Sequence, residues 1–320
     1  MARVVLIALI ALISIACSPD IEPSRGTVDV EILYATARER TGEPAAEHFY
    51  GGRRGGPEVG RALVRVPHDP RMGARELGEP ARVAALASIE PLPQIASDAA
   101  AALVFVPGFD VSFEGGARRA AQLGYDLEFE GQVVLFSWPS LGGYGGDEVE
   151  VLRSAPQLRD LIERLAEHVT TIHVVAHGMG VRTIAAALNA LEVERSAVRI
   201  GELALVAPDV DAREFIDRIA PAIGGRVRRL TVYVSSRERA LAHDVDDSAL
   251  GDTVNGIPLG DQFETVDASA VGTSLLGHAY WGDRRSVVTD LRALLSGRDR
   301  DGLMEQRIGR ATYRVIEPPP

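Results

Sequence analysis

Short apolar runs alternate with longer amphipathic segments over most of the chain from Ala101 onward. The runs do not alternate with polar residues, so they predict strands buried on both faces, as in a parallel sheet. The longer segments show the period of amphipathic helices. Strands are predicted at Leu103–Val106, Val133–Ser137, Ile172–Ala176, Leu203–Ala207, Leu230–Ser235 and Phe263–Val266, and helices at Phe113–Leu127, Glu148–Glu167, Gly180–Leu191, Asp211–Ile219 and Arg284–Leu295. The pattern predicts an α/β fold with a doubly wound, mostly parallel sheet and helices on both faces.

The segment before this regular region is less uniform. Val28–Tyr34 and Arg61–Pro67 are predicted strands, the latter with alternating polarity. Arg38–Gly60 is rich in Gly, Arg and Glu and is predicted to be a loop. Several prolines make Pro67–Pro93 an expected irregular region.

The two ends of the chain are expected to lie outside the folded domain, which should span residues 28–297. The tail from 298 to 320 is charged, ends in three prolines and is expected to be loosely ordered. At the other end, Arg3 precedes the apolar stretch Val4–Ile13, which is too short to span a bilayer and is typical of a signal peptide. We therefore expect residues 1–16 to be a signal peptide.

The four residues Ser14–Cys17 resemble a bacterial lipobox, in which the cysteine is lipidated and becomes the mature N-terminus. This predicts a lipidated tether over residues 17–27 and a membrane anchor through Cys17. The expected location is the bacterial cell envelope, at the outer membrane because Ser18 and not Asp follows the cysteine. The alternative is an ordinary secretory signal cut after Ala16, which would give a secreted or periplasmic protein.

Composition excludes several classes of function. The net charge of −11 argues against a nucleic-acid partner. The chain has no lysine, which excludes a P-loop lysine, a Schiff-base lysine and a Ser–Lys dyad. The single cysteine excludes an intramolecular disulfide and a Cys-rich zinc site. His243–Asp247 suggests calcium, but Ala249 stands where an EF-hand loop needs glycine. Neither a metal nor a cofactor is expected.

The candidate chemistry begins at Val174–Thr183, which reads VVAHGMGVRT. A predicted strand ends in a turn flanked by the small residues Ala176 and Gly180, and a predicted helix follows. This is the strand–turn–helix context of the nucleophile elbow G-x-S-x-G. The residue at the nucleophile position is Gly178, which has no side chain.

Other strand ends carry the remaining parts of an acyl-transfer site. The main-chain amides of Phe109 and Met179 occupy the positions of the two oxyanion-hole donors. His278 follows the last predicted strand and is the candidate base. Glu238 is the candidate acid that would orient it, with Asp209 and Asp211 as alternatives. Glu238 could equally be a carboxylate in the first turn of a helix.

Several segments together are similar to the bacterial esterase/lipase-like α/β-hydrolases long filed as a domain of unknown function. They cover nearly the whole mature chain: VEILYATARER, GRALVRVPHDPRMG, VFVPGFDVSFEGGARRAAQLGYDLEFEGQVVLFSWPS, the elbow, APDVDAREF, YVSSRERAL and VDASAVGTSLLGHAY. The resemblance implies an α/β-hydrolase fold and an ester-cleaving serine hydrolase. The chain departs from that family at Gly178, where serine is usual, and at Pro107, where histidine is usual.

Three hypotheses follow from these departures. The first is a non-catalytic pseudo-hydrolase whose pocket binds a small molecule or acyl ligand, or whose surface binds a partner, because serine attack is closed without an Oγ. The second is a residual carboxylic-ester hydrolase in which His278, oriented by Glu238, activates a water. The third is a structural envelope protein that inherited the fold.

Overall fold

The computed structural model describes residues 26–67, 81–88, 100–236, 249–252, 258–271 and 285–316. Their strands form one sheet of eleven strands. The strands are β1 (Thr27–Arg40), β2 (Tyr50–Pro67), β3 (Arg82–Ser88), β4 (Ala101–Val106), β5 (Gln132–Ser137), β6 (Thr171–His177), β7 (Ile200–Val206), β8 (Val227–Val234), β9 (Glu264–Asp267), β10 (Leu303–Ile308) and β11 (Ala311–Ile316). The helices are α1 (Phe113–Asp126), α2 (Tyr144–Arg153), α3 (Ala155–Ala166), α4 (Gly180–Val193), α5 (Ala212–Glu214), a π-helical turn (Phe215–Ile219), α6 (Ala220–Gly224) and α7 (Arg285–Ser296).

The sheet is parallel at its centre and antiparallel at both edges. Its strand order is β10-β11-β9-β8-β7-β6-β4-β5-β1-β2-β3. In this spatial order, every pairing between β11 and β1 is parallel. The pairings at the edges of the sheet, β1–β2, β2–β3 and β10–β11, are antiparallel. All central strands therefore end at the same edge of the sheet, which brings their following loops together.

Helices cover both faces of the sheet and bury one apolar layer on each. One layer packs residues of α2, α3, α4 and the π-helical turn, such as Leu158, Ile184 and Phe215, against the strands. The other packs α1 and α7, through residues such as Phe113 and Leu291, against the opposite face. The central strands are buried along almost their whole length, which explains their uninterrupted apolar sequence. The predicted doubly wound, mostly parallel sheet is confirmed.

The N-terminal hairpin corrects the prediction of a loop after the first strand. Arg38–Gly60 is not a loop, because β1 runs to Arg40 and pairs with β2 from Tyr50, with register shifts near Arg38. Charges that suggested a loop instead pair across the ladder, as in the ion pair between Arg40 and Glu58. The glycines allow close approach: a Cβ on Gly55 would lie 2.6 Å from the Cα of Glu39.

The irregular region expected over Pro67–Pro93 contains a third strand, β3, which pairs antiparallel with β2. Likewise, the tail expected to be loosely ordered contains the hairpin of β10 and β11, and β11 joins the sheet beside β9. Ile316 at the end of β11 is 2% exposed, so part of this tail belongs to the core. Proline and charge content indicated irregular chain, but pairing with a neighbouring strand satisfies the main chain in both places.

The predicted helix Glu148–Glu167 is two helices. The break falls at Ser154, and Pro156 stands in the first turn of α3. Proline lacks the N–H that a continuous helix would need at that point, whereas the first turn of a helix tolerates it. The residues predicted as signal peptide, and Cys17 with most of its tether, lie outside the described residues.

Candidate functional site

The elbow is the turn between β6 and α4, and main-chain bonds hold it. Gly178 has a φ of 53°, in the left-handed region that glycine adopts most readily. Its N–H donates to the Val206 carbonyl at 3.0 Å. Its carbonyl accepts from the N–H of Asp209 and of Val181, each at 3.2 Å. The backbone therefore has the form of a nucleophile elbow, and the residue at its tip carries no nucleophile.

Two further glycines let the elbow sit against the loop that follows β4. A Cβ on Gly180 would lie 2.4 Å from the Pro107 carbonyl oxygen and 2.8 Å from that of Val106. A Cβ on Gly108 would lie 3.1 Å from Nδ1 of His177. Gly180 thus requires the close backbone approach that glycine permits, whereas a Cβ on Gly108 would press on the His177 ring, which packs beside the loop.

The loop after β4 carries the first predicted oxyanion donor, Phe109, and Met179 after the elbow carries the second. Since β4 and β6 are neighbouring parallel strands with Val106 opposite Ala176, the two amides lie at the same edge of the sheet. Met179 is fully buried, and the Phe109 ring lies edge-on to Tyr144 with centroids 5.6 Å apart. Pro107, which lacks an N–H, accepts a 2.8 Å bond at its carbonyl from the Trp138 indole.

Side chains that the sequence analysis did not single out hold this loop. Asp110 has a φ of 53° although it is not glycine. Its N–H donates to Ser140 Oγ at 2.8 Å, and Ser140 in turn donates to Asp147. The buried Asp147 carboxylate also accepts from the N–H of Leu141 at 2.8 Å. Asp147 therefore fixes the loop through Ser140.

A buried arginine supports the same loop from β1. Arg38 is 2% exposed. Its guanidinium donates to Ser137 Oγ at 2.9 Å, to the Gly51 carbonyl at 3.1 Å and to the Val111 carbonyl at 2.6 Å. Burial lowers the Arg38 pKa to about 10, and the charge of Asp147 opposes that shift. In the sequence, the only features that could have indicated these supporting roles were an arginine, Arg38, at the end of an apolar strand and an aspartate, Asp147, after a glycine-rich stretch.

The alternative acids have separate roles in the described structure. The Asp211 side chain accepts from the Glu214 N–H at 2.7 Å and caps α5. Asp209 is 5% exposed; both its carboxylate oxygens lie 2.9 Å from the Tyr144 hydroxyl. Its main-chain carbonyl accepts from Arg182 Nε at 2.7 Å. The other predicted acid, Glu238, and the predicted base, His278, lie outside the described residues.

A groove of about 880 Å³ opens from Asp209 between α2, α4 and the α5–α6 segment. Its polar end holds Tyr144, Arg182 and Glu148, the last two ion-paired at 2.7 Å. Burial and the nearby Asp209 carboxylate raise the Tyr144 pKa, so its hydroxyl stays a donor. The rest of the wall includes these apolar residues: Leu152, Ala185, Ala186, Val210, Ile219, Ala222 and Ile223. Asn189, Asp211, Glu214 and Arg218 also line it. The groove therefore joins a hydrogen-bonding end to a wall of apolar residues interspersed with polar ones, and small-molecule sites commonly combine the two.

Within the described residues no group of three or more His, Cys, Asp or Glu side chains could hold a metal ion. Nor does any helix in that part of the chain have the length and apolarity to cross a membrane. His173, at the start of β6, is far along the strand from the elbow and accepts the Glu202 N–H at 3.1 Å. Burial, with the charge of Arg228, lowers its pKa to about 4.

A family model agrees with this architecture. The family model described as "Alpha/beta hydrolase of unknown function (DUF900)" matches residues 92–297. The chain is similar to the "putative cell surface hydrolase from Lactobacillus plantarum WCFS1", with 15% identity over 62% of this chain and 92% of that chain and a TM-score of 0.41. It is also similar to a Pyrobaculum calidifontis esterase, with 14% identity over 86% of each chain and a TM-score of 0.37. The chain matches none of the curated proteins.

Proposed function

The chain belongs to this family of α/β hydrolases, and we propose that it is a non-catalytic member, anchored to the cell envelope, that binds a small acyl ligand. The observation that carries the proposal is Gly178 at the tip of the elbow, with a φ of 53°. Without an Oγ no acyl-enzyme can form, and loss of the nucleophile costs on the order of 10⁶ in turnover in a serine hydrolase. The turn has the backbone conformation of a nucleophile elbow, but the residue at its tip has no nucleophilic side chain.

The ligand site we propose is the groove beside the elbow. Asp209 links the two, because its N–H donates to the Gly178 carbonyl and its carboxylate lines the groove. The apolar wall suits an acyl chain. The Arg182 guanidinium suits an oxygen-rich head group, because it stays protonated and carries five N–H donors.

Hydrolysis of a short-chain aryl ester tests the missing activity. We expect the mature protein and its His278→Ala variant to hydrolyse the ester at the same background rate. Activity that disappears in His278→Ala would instead establish the hydrolase in which His278, oriented by Glu238, activates water.

Gly178→Ser places an Oγ at the tip of the elbow. We expect it to raise the rate of ester hydrolysis by roughly 10³ if the base and the oxyanion donors Phe109 and Met179 are in place.

Calorimetry with octanoate tests the ligand site. We expect binding to the unmodified protein and its loss in Ala186→Phe, because that side chain would fill the groove. Ala190→Phe is the matched control on the same helix, outside the groove lining. Equal binding by both variants would place the ligand elsewhere. No binding by the unmodified protein would favour a purely structural role in the envelope.

The anchor is tested separately by fractionating cells that produce the full chain. We expect the protein in the membrane fraction, and Cys17→Ser in the soluble fraction of the envelope. A Cys17→Ser variant that stays with the membrane would contradict lipid anchoring at this residue.

A further inference from the structure

The strand β10 forms one open edge of the sheet. It pairs with β11 on one side only, and nothing in the described ranges pairs with its other side. Five of its six residues are exposed, including Met304 at 42% and Ile308 at 48%. Proteins usually block such an edge with charged side chains, above all lysine, with proline, with a bulge or by keeping the edge strand short. β10 is short and carries two charges of opposite sign, Glu305 and Arg307, but it has neither lysine nor proline, and its register with β11 runs without a shift.

The sequence of this edge is complementary to itself when read in the opposite direction. Met304-Glu305-Gln306-Arg307-Ile308 has Gln306 at its centre, with opposite charges on either side and an apolar residue at each end. If two copies pair antiparallel about Gln306, Glu305 lies opposite Arg307 of the second copy, and Met304 lies opposite Ile308. Directly opposite side chains share one face of a sheet. The charged pairs therefore lie on one face and the apolar pairs on the other.

Other registers lose this match. Centring the pair on Glu305 or on Arg307 sets like charges opposite each other, which is unfavourable. A shift by a single residue would turn one strand's face away from its partner's. Within one copy, Arg307 reaches Glu305 only at 3.5 Å along the same strand. The second copy thus offers each charge a cross-strand partner in one register alone.

We propose that the protein forms a two-fold dimer in which the β10 strands of two copies pair antiparallel about Gln306 and join the two sheets into one. The contact is a single short strand, so the dimer is weak and depends on concentration. The proposal does not depend on the groove or on the elbow, which lie on other elements.

Sedimentation velocity of the full chain in detergent tests the dimer. We expect the unmodified chain to form a dimer whose population rises with concentration. For Arg307→Glu we expect the dissociation constant to rise by about tenfold or more, because both charged pairs become repulsive. The double variant Glu305→Arg/Arg307→Glu restores opposite charges and should dimerise again. Arg213→Glu makes the same change in net charge at an exposed position away from β10 and should leave the dissociation constant unchanged.

A monomer at every concentration, or an Arg307→Glu variant that dimerises as well as the unmodified chain, would overturn the proposal. Glu305 also faces Arg314 on β11, so the double variant is checked for its melting temperature first. Should it fail to fold, cysteine cross-linking decides the question.

Cross-linking tests the register in a Cys17→Ser background, which removes the only native cysteine and its lipid. Opposite Cα atoms in an antiparallel pair lie roughly 4.5–5.5 Å apart, within the range of a disulfide. Gln306→Cys should therefore oxidise to a covalent dimer. Glu305→Cys should not, because two such residues would be offset by two positions along the strands, about 8 Å apart. Cross-linking by Glu305→Cys, or none by Gln306→Cys, would contradict the register.

Discussion

Two loops form the site, the elbow after β6 and the loop after β4. Each has one residue with a φ of 53°, Gly178 in the elbow and Asp110 in the loop after β4. Main-chain bonds from neighbouring strands hold the elbow around Gly178. Side chains hold the loop around Asp110, through Ser140 and the buried Asp147. Main-chain hydrogen bonds and the close approach that Gly180 permits therefore set the form of the elbow, and no side chain at position 178 takes part. The loop around Asp110 depends on particular side chains.

The largest expected effect comes from breaking the loop that depends on side chains. Asp147→Ala leaves Ser140 and the Leu141 N–H without their acceptor and removes a negative charge that favours the charged form of the buried Arg38. We expect a loss of about 3 kcal/mol in the free energy of unfolding. Urea denaturation measures it. A change within error would show that the loop holds its form without this network.

Gly180→Ala tests the contact between the two loops. The new Cβ would meet two main-chain oxygens, those of Pro107 and Val106, neither of which can move without shifting a strand end. We expect a loss of about 2–3 kcal/mol, measured by thermal unfolding. Gly143→Ala is the matched control, since a Cβ there meets no atom within 4 Å. Equal losses in the two variants would contradict the proposed contact.

His173 lies near the start of β6, at the opposite end of the strand from the elbow, and serves as a comparison for the two loops. His173 has a pKa lowered to about 4, below the usual 6.5, so it is neutral in the fold while the unfolded chain takes up its proton first. This contribution to stability is full above pH 6.5 and is lost as the pH falls towards 4. We expect it to reach about 2 kcal/mol.

Urea titrations at several pH values measure this dependence. His173→Asn should flatten the pH dependence over that window. The same slope in both proteins would assign the acid sensitivity to other groups.

The smallest effects compare the two left-handed residues directly. Gly178→Ala places a new Cβ in the left-handed region, and Asp110→Ala removes a polar side chain that tolerates this region better than alanine does. We expect each to cost about 1 kcal/mol. Asp110→Gly should change stability by less than about 0.5 kcal/mol, because aspartate tolerates this conformation better than alanine does. Thermal unfolding of the three variants measures the differences. A costly Asp110→Gly would mean that the aspartate side chain itself supports the loop.

Much of this architecture was readable from the sequence, but the edges of the sheet were not. The uninterrupted apolar runs of β4, β5 and β6 predicted buried parallel strands, because burial on both faces admits no polar alternation. The strands β3, β10 and the first half of β2 carry glycine, proline or charge nearby and were predicted as loop or tail. An edge strand faces water, so its sequence is not constrained in the same way.

The sequence by itself determined the sheet's core, the place of the elbow and the absence of a nucleophile at Gly178, since those depend on local periodicity and on the identity of one residue. Only the tertiary structure decided that Asp209 contacts Tyr144, that Asp211 caps a helix, and that Arg38, Ser140 and Asp147 support the loop after β4. These contacts join residues from separate elements, some about 100 positions apart. Spacing along a chain cannot specify them, because they exist only where the folded strands end together.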